Sequence, residues 1–299
     1  MPLDLTDSVD SLVAAVRAAH YRAEFKESER LARELIALSV SRDDPRGEAW
    51  GHSGLGTARL LQGDVAEGEA EYNRALEMFQ AIGDRDGVAL VQANLGSMLL
   101  EYRLDVAEAR RNLDEAVAAL RISDNERSLA YALANRGKVC RMEGDYEQAM
   151  RLADESYELF MQAGIPVHAG WQLVNKAHYH SLRREYPEAI STLRKAFDHL
   201  SPVQGELGRA SYFEVAFVIA TEIDAWDVAA RLRGFLECYD ADCKVLSPVG
   251  ILPWFLPRVE MLTRRMPEAA LNALHEEGAA LSLDQAQALI VNLAPKTPV

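Results

Sequence analysis

The chain has 299 residues, 49% of them hydrophobic, and a formal net charge of −14. A large core is therefore within reach and bulk disorder is excluded, while the acidic balance argues against a general nucleic-acid binder, which needs a basic surface. No apolar run reaches the roughly 18 residues of a membrane span, and three cysteines (Cys140, Cys238 and Cys243) make an odd, sparse set that predicts a reducing cytoplasm rather than a disulfide framework.

The opening "MPLDLTDSVDSL" lacks the basic and then apolar segments of a secretory signal. From there the chain repeats itself. The clearest copies are "GLGTARLLQGDVAEGEAEYNRALEMF" (54–79), "NLGSMLLEYRLDVAEARRNLDEAVAAL" (94–120), "NRGKVCRMEGDYEQAMRLADESYELF" (135–160) and "NKAHYHSLRREYPEAISTLRKAFDHL" (175–200). A small residue opens each copy: Gly56, Gly96, Gly137 and Ala177. A second follows the turn (Gly68, Ala109, Ala149, Ala189), and a third lies seven further on (Ala75, Ala116, Ser156, Ala196). Weaker copies place Ser28 and Ala229 in the second series. Three residues before that series stand Phe25, Val65, Val106, Tyr146, Tyr186 and Trp226.

Each copy reads as two amphipathic helices, with apolar residues such as Leu182, Ile190, Leu193 and Phe197 on one side and "GD" or "RE" in the turn. Small residues recur where the helices cross closely. Arg136 and Lys176 occupy an otherwise apolar slot, which predicts local loosening of the repeats that carry them.

After Tyr239 the period fails. Pro248, Pro253 and Pro257 disrupt regular helix. "MPEAALNALHEEG" reads as a helix with Pro267 near its start and Gly278 as its stop. "SLDQAQALIVNLA" is a further helix, with Ser282 and Gln285 spaced as a capping box. The domain reading is a repeat array over 1–240, then a proline-rich connection and capping hairpin over 241–299.

The small-residue triplet and the "GDYEQA" turn resemble the tetratricopeptide repeat, although the period here is about 40 rather than the usual 34 or so. The resemblance covers about three quarters of the chain. It implies an all-α, right-handed superhelix of about six helix pairs with a concave groove. The ending, "ARLRGFLECYD" through "PEAALNALHEEGAALSLDQAQALI", is similar to the C-terminal helical region of large bacterial regulators. Those combine a nucleotide-hydrolysing switch domain with helical repeats and often a LuxR-type helix-turn-helix. This chain shows no GxxxxGK[ST] loop and leaves no stretch unassigned for a separate DNA-binding module, so neither ATPase nor DNA-binding activity is carried over.

Most candidate chemistry dissolves on inspection. "GHSGLG" (51–56) fits neither a phosphate loop nor a nucleophile elbow, and Gly54 and Gly56 fall inside a repeat helix. Cys238 and Cys243 point to different helix faces, as do His178 and His180, so no metal or other cofactor is expected. The acids recurring at the turn, such as Asp64, Glu67, Glu143 and Asp145, argue for structure. No nucleophile–base–orienter set is readable, so no enzyme is expected.

One constellation remains. Asn94, Asn135 and Asn175 hold one position in three successive first helices, two residues before the small residue. The resemblance implies that this position faces the groove. A carboxamide there can pair a peptide N–H and C=O together. Four residues earlier stand Trp50, Leu90, Tyr131 and Trp171, counting each repeat in turn; three residues later stand Ser97, Lys138 and His178, with Arg141 one turn beyond Lys138. The expected function is a peptide- or protein-binding module of a bacterial regulatory system. Alternatives are a self-associating scaffold, which leaves homo-oligomers open, and a small-molecule effector domain. Neither direct nucleic-acid binding nor a membrane partner is expected.

Overall fold

The computed structural model describes residues 8–21, 24–123, 125–200, 206–243 and 252–294. In chain order its helices are α1 (Val9–Tyr21), α2 (Phe25–Ser41), α3 (Pro45–Leu61), α4 (Val65–Ile82), α5 (Arg85–Met98), α6 (Val106–Leu120), α7 (Glu126–Glu143) and α8 (Tyr146–Gln162). There follow α9 (Pro166–Leu182), α10 (Tyr186–Leu200), α11 (Glu206–Glu222), α12 (Trp226–Cys243), α13 (Leu252–Arg265), α14 (Glu268–Ala279) and α15 (Leu283–Val291). Among the described residues there is no strand, so the all-α expectation holds. The chain divides into two compact units, Met1–Val139 and Cys140–Val299.

The helices keep the period of the sequence. The even-numbered helices from α2 to α12 begin at Phe25, Val65, Val106, Tyr146, Tyr186 and Trp226, the six apolar positions marked above, and each of these side chains is half-buried. The second small residue of every copy, from Ser28 to Ala229, is buried, as are Ala75, Ala116, Ser156 and Ala196. Within the first unit α3 packs on α4 and α5 on α6. At the first crossing the two chains nearly touch. A Cβ on Gly56 would lie 2.8 Å from Tyr72 and 3.0 Å from the Gly68 carbonyl, and a Cβ on Gly68 would lie 3.0 Å from the Gly56 carbonyl. At the next, a Cβ on Gly96 would meet the Ala109 carbonyl at 3.1 Å.

Four of the described turns inside a repeat are closed in one way, and the turn at Leu104 differs only in that the Asp105 N–H reaches back six residues, to Leu99 at 3.1 Å. A residue with positive φ follows the first helix: Gly63 (93°), Leu104 (54°), Gly144 (80°), Arg184 (63°) and Asp224 (58°). The next N–H then bonds back five residues, as in Asp64 to Arg59, Asp145 to Cys140 and Glu185 to His180, each at 2.9 Å. That is the Schellman closure, which satisfies carbonyls a helix end leaves open. Gly63 and Leu104 are 41 apart where the later members are 40 apart. The extra residue is absorbed by a π-turn, Leu99–Arg103, at the end of α5. Of the recurrent acids at the turns, Asp145 is a cap, whereas Asp64 stands at the cap position without a cap bond and, like Glu67, pairs with Arg59 at 3.2 Å. Asp105 and Asp145 accept from the N–H of Glu108 and Gln148 at 3.0 Å, and Asp44 and Asp84 do the same at Gly47 and Gly87, at 3.0 and 2.9 Å.

Arg136 and Lys176 do not leave gaps. Arg136 pairs with Asp114 on α6. In the second unit Lys176 pairs with Asp154 on α8 at 2.6 Å. Both partners sit 22 residues back, so a charge in the apolar slot is answered by a carboxylate at one fixed place.

The ending of the second unit corrects two expectations. Pro253 and Pro257 do not break the helix: both lie in α13. Pro253 is in the first turn, where no N–H is needed. Pro257 gives up only the bond to the Pro253 carbonyl. Arg258, next along, holds Glu222 of α11 at 2.7 Å. Pro248 lies outside the described residues. Gly278 is not a stop but a packing residue inside α14. A Cβ there would land on the Arg231 carbonyl of α12, and one on Gly234 would land on the His275 carbonyl. The capping box at Ser282 and Gln285 is present, and Arg194 of α10 donates to the Leu293 carbonyl beyond α15 at 2.7 Å.

Two glycines of the first unit are needed for different reasons, which separates their substitutions. Gly56→Leu is expected to cost about 3 kcal/mol by forcing α3 from α4. Gly63→Ala, with open space around it but φ at 93°, is expected to cost about 1 kcal/mol. Urea unfolding of the two variants measures the difference; equal losses would refute the close-crossing account.

Candidate functional site

A cleft of about 250 Å³ opens in the first unit. Four first helices line it, namely α1, α3, α5 and α7, together with Leu35 of α2. The repeat explains its order. Trp50, Leu90 and Tyr131 occupy one slot in successive repeats, and Gly54, Asn94 and Asn135 occupy the slot four residues on. Arg17 and Thr57 share a third. Ser53, Ser128, His20 and Arg127 complete the polar lining, and Val13 and Val16 the apolar part.

Of the residues singled out in the sequence, Trp50, Asn94, Tyr131 and Asn135 come together here. Lys138, on the same helix as Tyr131 and Asn135, does not line the cleft; its ammonium holds Glu101 of the π-turn at 2.6 Å. The remaining candidates belong to the second unit. The Asn175 carboxamide donates to Gln172 Oε1 at 3.3 Å. The Trp171 ring lies 4.5 Å from that of His168 and packs on the core. Arg141 is half-buried. His178 departs from expectation: it is a buried ring, not a groove-facing one. The reason is that α9 is flanked by α8, α10 and α11, which leaves little of its circumference open. Burial, and then the charges of Arg141 and Arg258, hold His178 well below its usual pKa and keep it neutral.

The described lining of the cleft differs in charge from the chain as a whole. No Asp or Glu is among the described residues that line it, while Arg17 and Arg127 are. The Arg17 guanidinium lies 5.2 Å from the centroid of the Trp50 ring, which itself meets Phe79 edge-on at 5.0 Å. Stacking of this kind helps to position a guanidinium. His20 is neutral. Burial pushes its pKa down to about 4, a hydrogen bond to the Gly54 backbone opposes the shift, and the neighbouring Arg17 adds to it.

Sequence reasoning missed Arg17, His20 and Arg127. A signal for Arg17 exists: it stands 40 residues before Thr57, which stands 40 before Ser97, so it opens the series that runs on to Lys138. No comparable signal marks His20 or Arg127.

Among the described residues no group of three His, Cys, Asp or Glu side chains is placed to hold a metal ion. Cys140 is buried and Cys238 exposed. His180 Nδ1 lies 2.7 Å from Glu185, and His168 packs against Phe160 at 5.2 Å. No described helix is long and apolar enough to cross a membrane.

Residues 47–122 match the family model described as tetratricopeptide repeat. The chain is also similar to the regulatory protein AfsR of Streptomyces coelicolor, at 26% identity over 160 residues, 54% of this chain and 16% of that protein. The protein of the same name from Streptomyces griseus is 27% identical over 194 residues, 64% of this chain and 19% of its own. The chain thus spans less than a fifth of the length of these curated relatives. In fold it is similar to the crystal structure of BtubC (BKLC) from P. vanneervenii, with a TM-score of 0.52 and 17% sequence identity over 68% of this chain and 84% of that one.

The depressed pKa of His20 has a consequence for stability. Between pH 6.5 and about 4 the unfolded chain binds a proton at this position and the folded chain does not. The contribution of a neutral His20 is thus complete above pH 6.5 and is lost as pH falls through that window. The loss is at most about 3 kcal/mol. Urea unfolding across pH 4–7 is expected to show a shallower fall for His20→Gln than for the wild type; parallel curves would refute the assignment.

Proposed function

We propose that this chain, a tetratricopeptide-repeat protein, is a protein-interaction module of a regulatory system and binds an extended segment of a partner along its first-helix face. The observation that carries this reading is the cleft of the first unit, where Asn94 and Asn135 stand in one slot of successive repeats beside Trp50, Leu90 and Tyr131. Carboxamides at a fixed spacing pair with backbone N–H and C=O groups whatever the side chains of the bound segment are. The aromatic and apolar slot then receives side chains that leave the same strand of peptide. Asn175 and Trp171 hold the corresponding slots on α9 in the second unit, Lys138 follows Asn135 on α7 and Arg141 lies one turn further on; each unit is proposed to bind through its own first-helix residues, with the buried His178 left out. The similarity to two regulatory proteins supports the regulatory setting.

A randomised peptide library panned on the wild type, followed by fluorescence anisotropy on the selected peptides, tests the reading. Asn94→Ala with Asn135→Ala is expected to weaken binding at least ~tenfold, the loss of one or two buried carboxamide bonds. Binding that is equal in both proteins would overturn it.

A further inference from the structure

We infer that the segment bound in the first unit's cleft is anchored by one aromatic side chain with a neutral donor at its edge, a tyrosine or a tryptophan, and that His20 Nε2 accepts from it. The inference rests on the groove reading above and names the side chain that enters. It starts from a polar atom without a partner. His20 lines the cleft, and among the described residues nothing bonds to its buried Nε2. Almost every buried polar atom of a folded chain is bonded, because burying an acceptor without a donor is costly. One left over in the wall of a binding cleft marks where a ligand supplies the donor.

The ring's other bond fixes what Nε2 can meet. The hydrogen bond to the Gly54 backbone favours the protonated ring, so the imidazole donates it, to the carbonyl. Nε2 has no partner, so the donor is Nδ1. The ring is neutral above about pH 4; its single proton is then on Nδ1, and Nε2 carries a lone pair. A carbonyl or carboxylate finds nothing there, whereas an N–H or O–H does. The walls decide what carries that donor. Val13, Val16, Leu35 and Leu90 line the cleft, and no carboxylate stands among its described lining. An ammonium would lose its water here without an opposite charge to answer it. A short hydroxyl side chain would leave the apolar wall uncovered. The volume of about 250 Å³ falls below the roughly 300–1,000 Å³ of whole small-molecule sites and suits one large side chain. Tyrosine and tryptophan combine an apolar ring with a neutral donor at its edge. Asn94 and Asn135, in the same cleft, then hold the backbone beside the anchor.

The test uses the full chain and a library of acetylated, amidated octapeptides, read by sequencing the bound pool. Tyr and Trp are expected to be enriched over Phe at one position of the peptides held by the wild type. A selected peptide re-made with Phe for Tyr is expected to bind about fivefold more weakly, the loss of one neutral hydrogen bond. His20→Leu, checked for an unchanged thermal melt, is expected to bind the two peptides equally; Asn94→Ala with Asn135→Ala lowers overall binding and keeps the preference. Nitrogen NMR of the wild type reads the same contact without a variant: the His20 Nε2 resonance is expected to move with the Tyr peptide and far less with the Phe peptide. A pool as rich in Phe as in Tyr and Trp, a Phe penalty undiminished in His20→Leu, or an Nε2 resonance that stays in place overturns the inference while leaving groove binding intact. Absence of any bound peptide overturns the groove reading itself.

Discussion

Everything in this chain depends on how closely the two helices of a repeat cross. At Gly56 and Gly68 a Cβ on either residue would press on the other's backbone carbonyl at 3.0 Å. Backbones this near leave no choice of crossing point, so the interaction fixes the register of both helices. The equivalent small residues of the other copies are buried in the same way. A fixed crossing in every copy makes residues 40 apart structurally equivalent. That equivalence is what brings Trp50, Leu90 and Tyr131 together to line one cleft.

Keeping the crossing has visible costs elsewhere. Where the second repeat of the clear series is one residue longer, the surplus is placed in a π-turn rather than in the contact. Where a turn must adopt positive φ, the chain tolerates Leu104 and Arg184 there instead of glycine, at about 1–2 kcal/mol each. Where the apolar slot holds a cation, Asp114 and Asp154 answer it from the preceding second helix. All three devices protect the spacing between equivalent positions, and tolerate strain or polarity to do so.

Much of this was legible because small residues, turn residues and caps leave strong local signatures. The second helices begin at the residues that the period marks, and the "EGDYE" acid Asp145 is a cap, as recurrence at turns implies. What failed was whatever depends on a neighbour distant in sequence. Gly278 looks like a helix stop because glycine often is one; only the Arg231 carbonyl of α12 reveals its purpose. Pro257 looks like a breaker because its own helix is all that the sequence shows, whereas Arg258 anchors that helix to Glu222. His178 looks groove-facing by spacing, but α9 has three helical neighbours and buries it. The first copy was read only from its second helix, so α1 and its Arg17 were overlooked.

That omission mattered most, because α1 shapes the cleft. The asparagine slot holds Asn94 and Asn135 but glycine at Gly54, and the reason is steric. A Cβ on Gly54 would lie 2.8 Å from a methyl of Val16 of α1, so a carboxamide there would have to displace that side chain. The same seat joins His20 to the Gly54 backbone and carries Arg17 over the Trp50 ring. A residue that ends the asparagine row is therefore also what admits a helix bearing a guanidinium. The change from neutral carboxamides to a cation along one face follows from a single missing side chain, with no departure from the repeat.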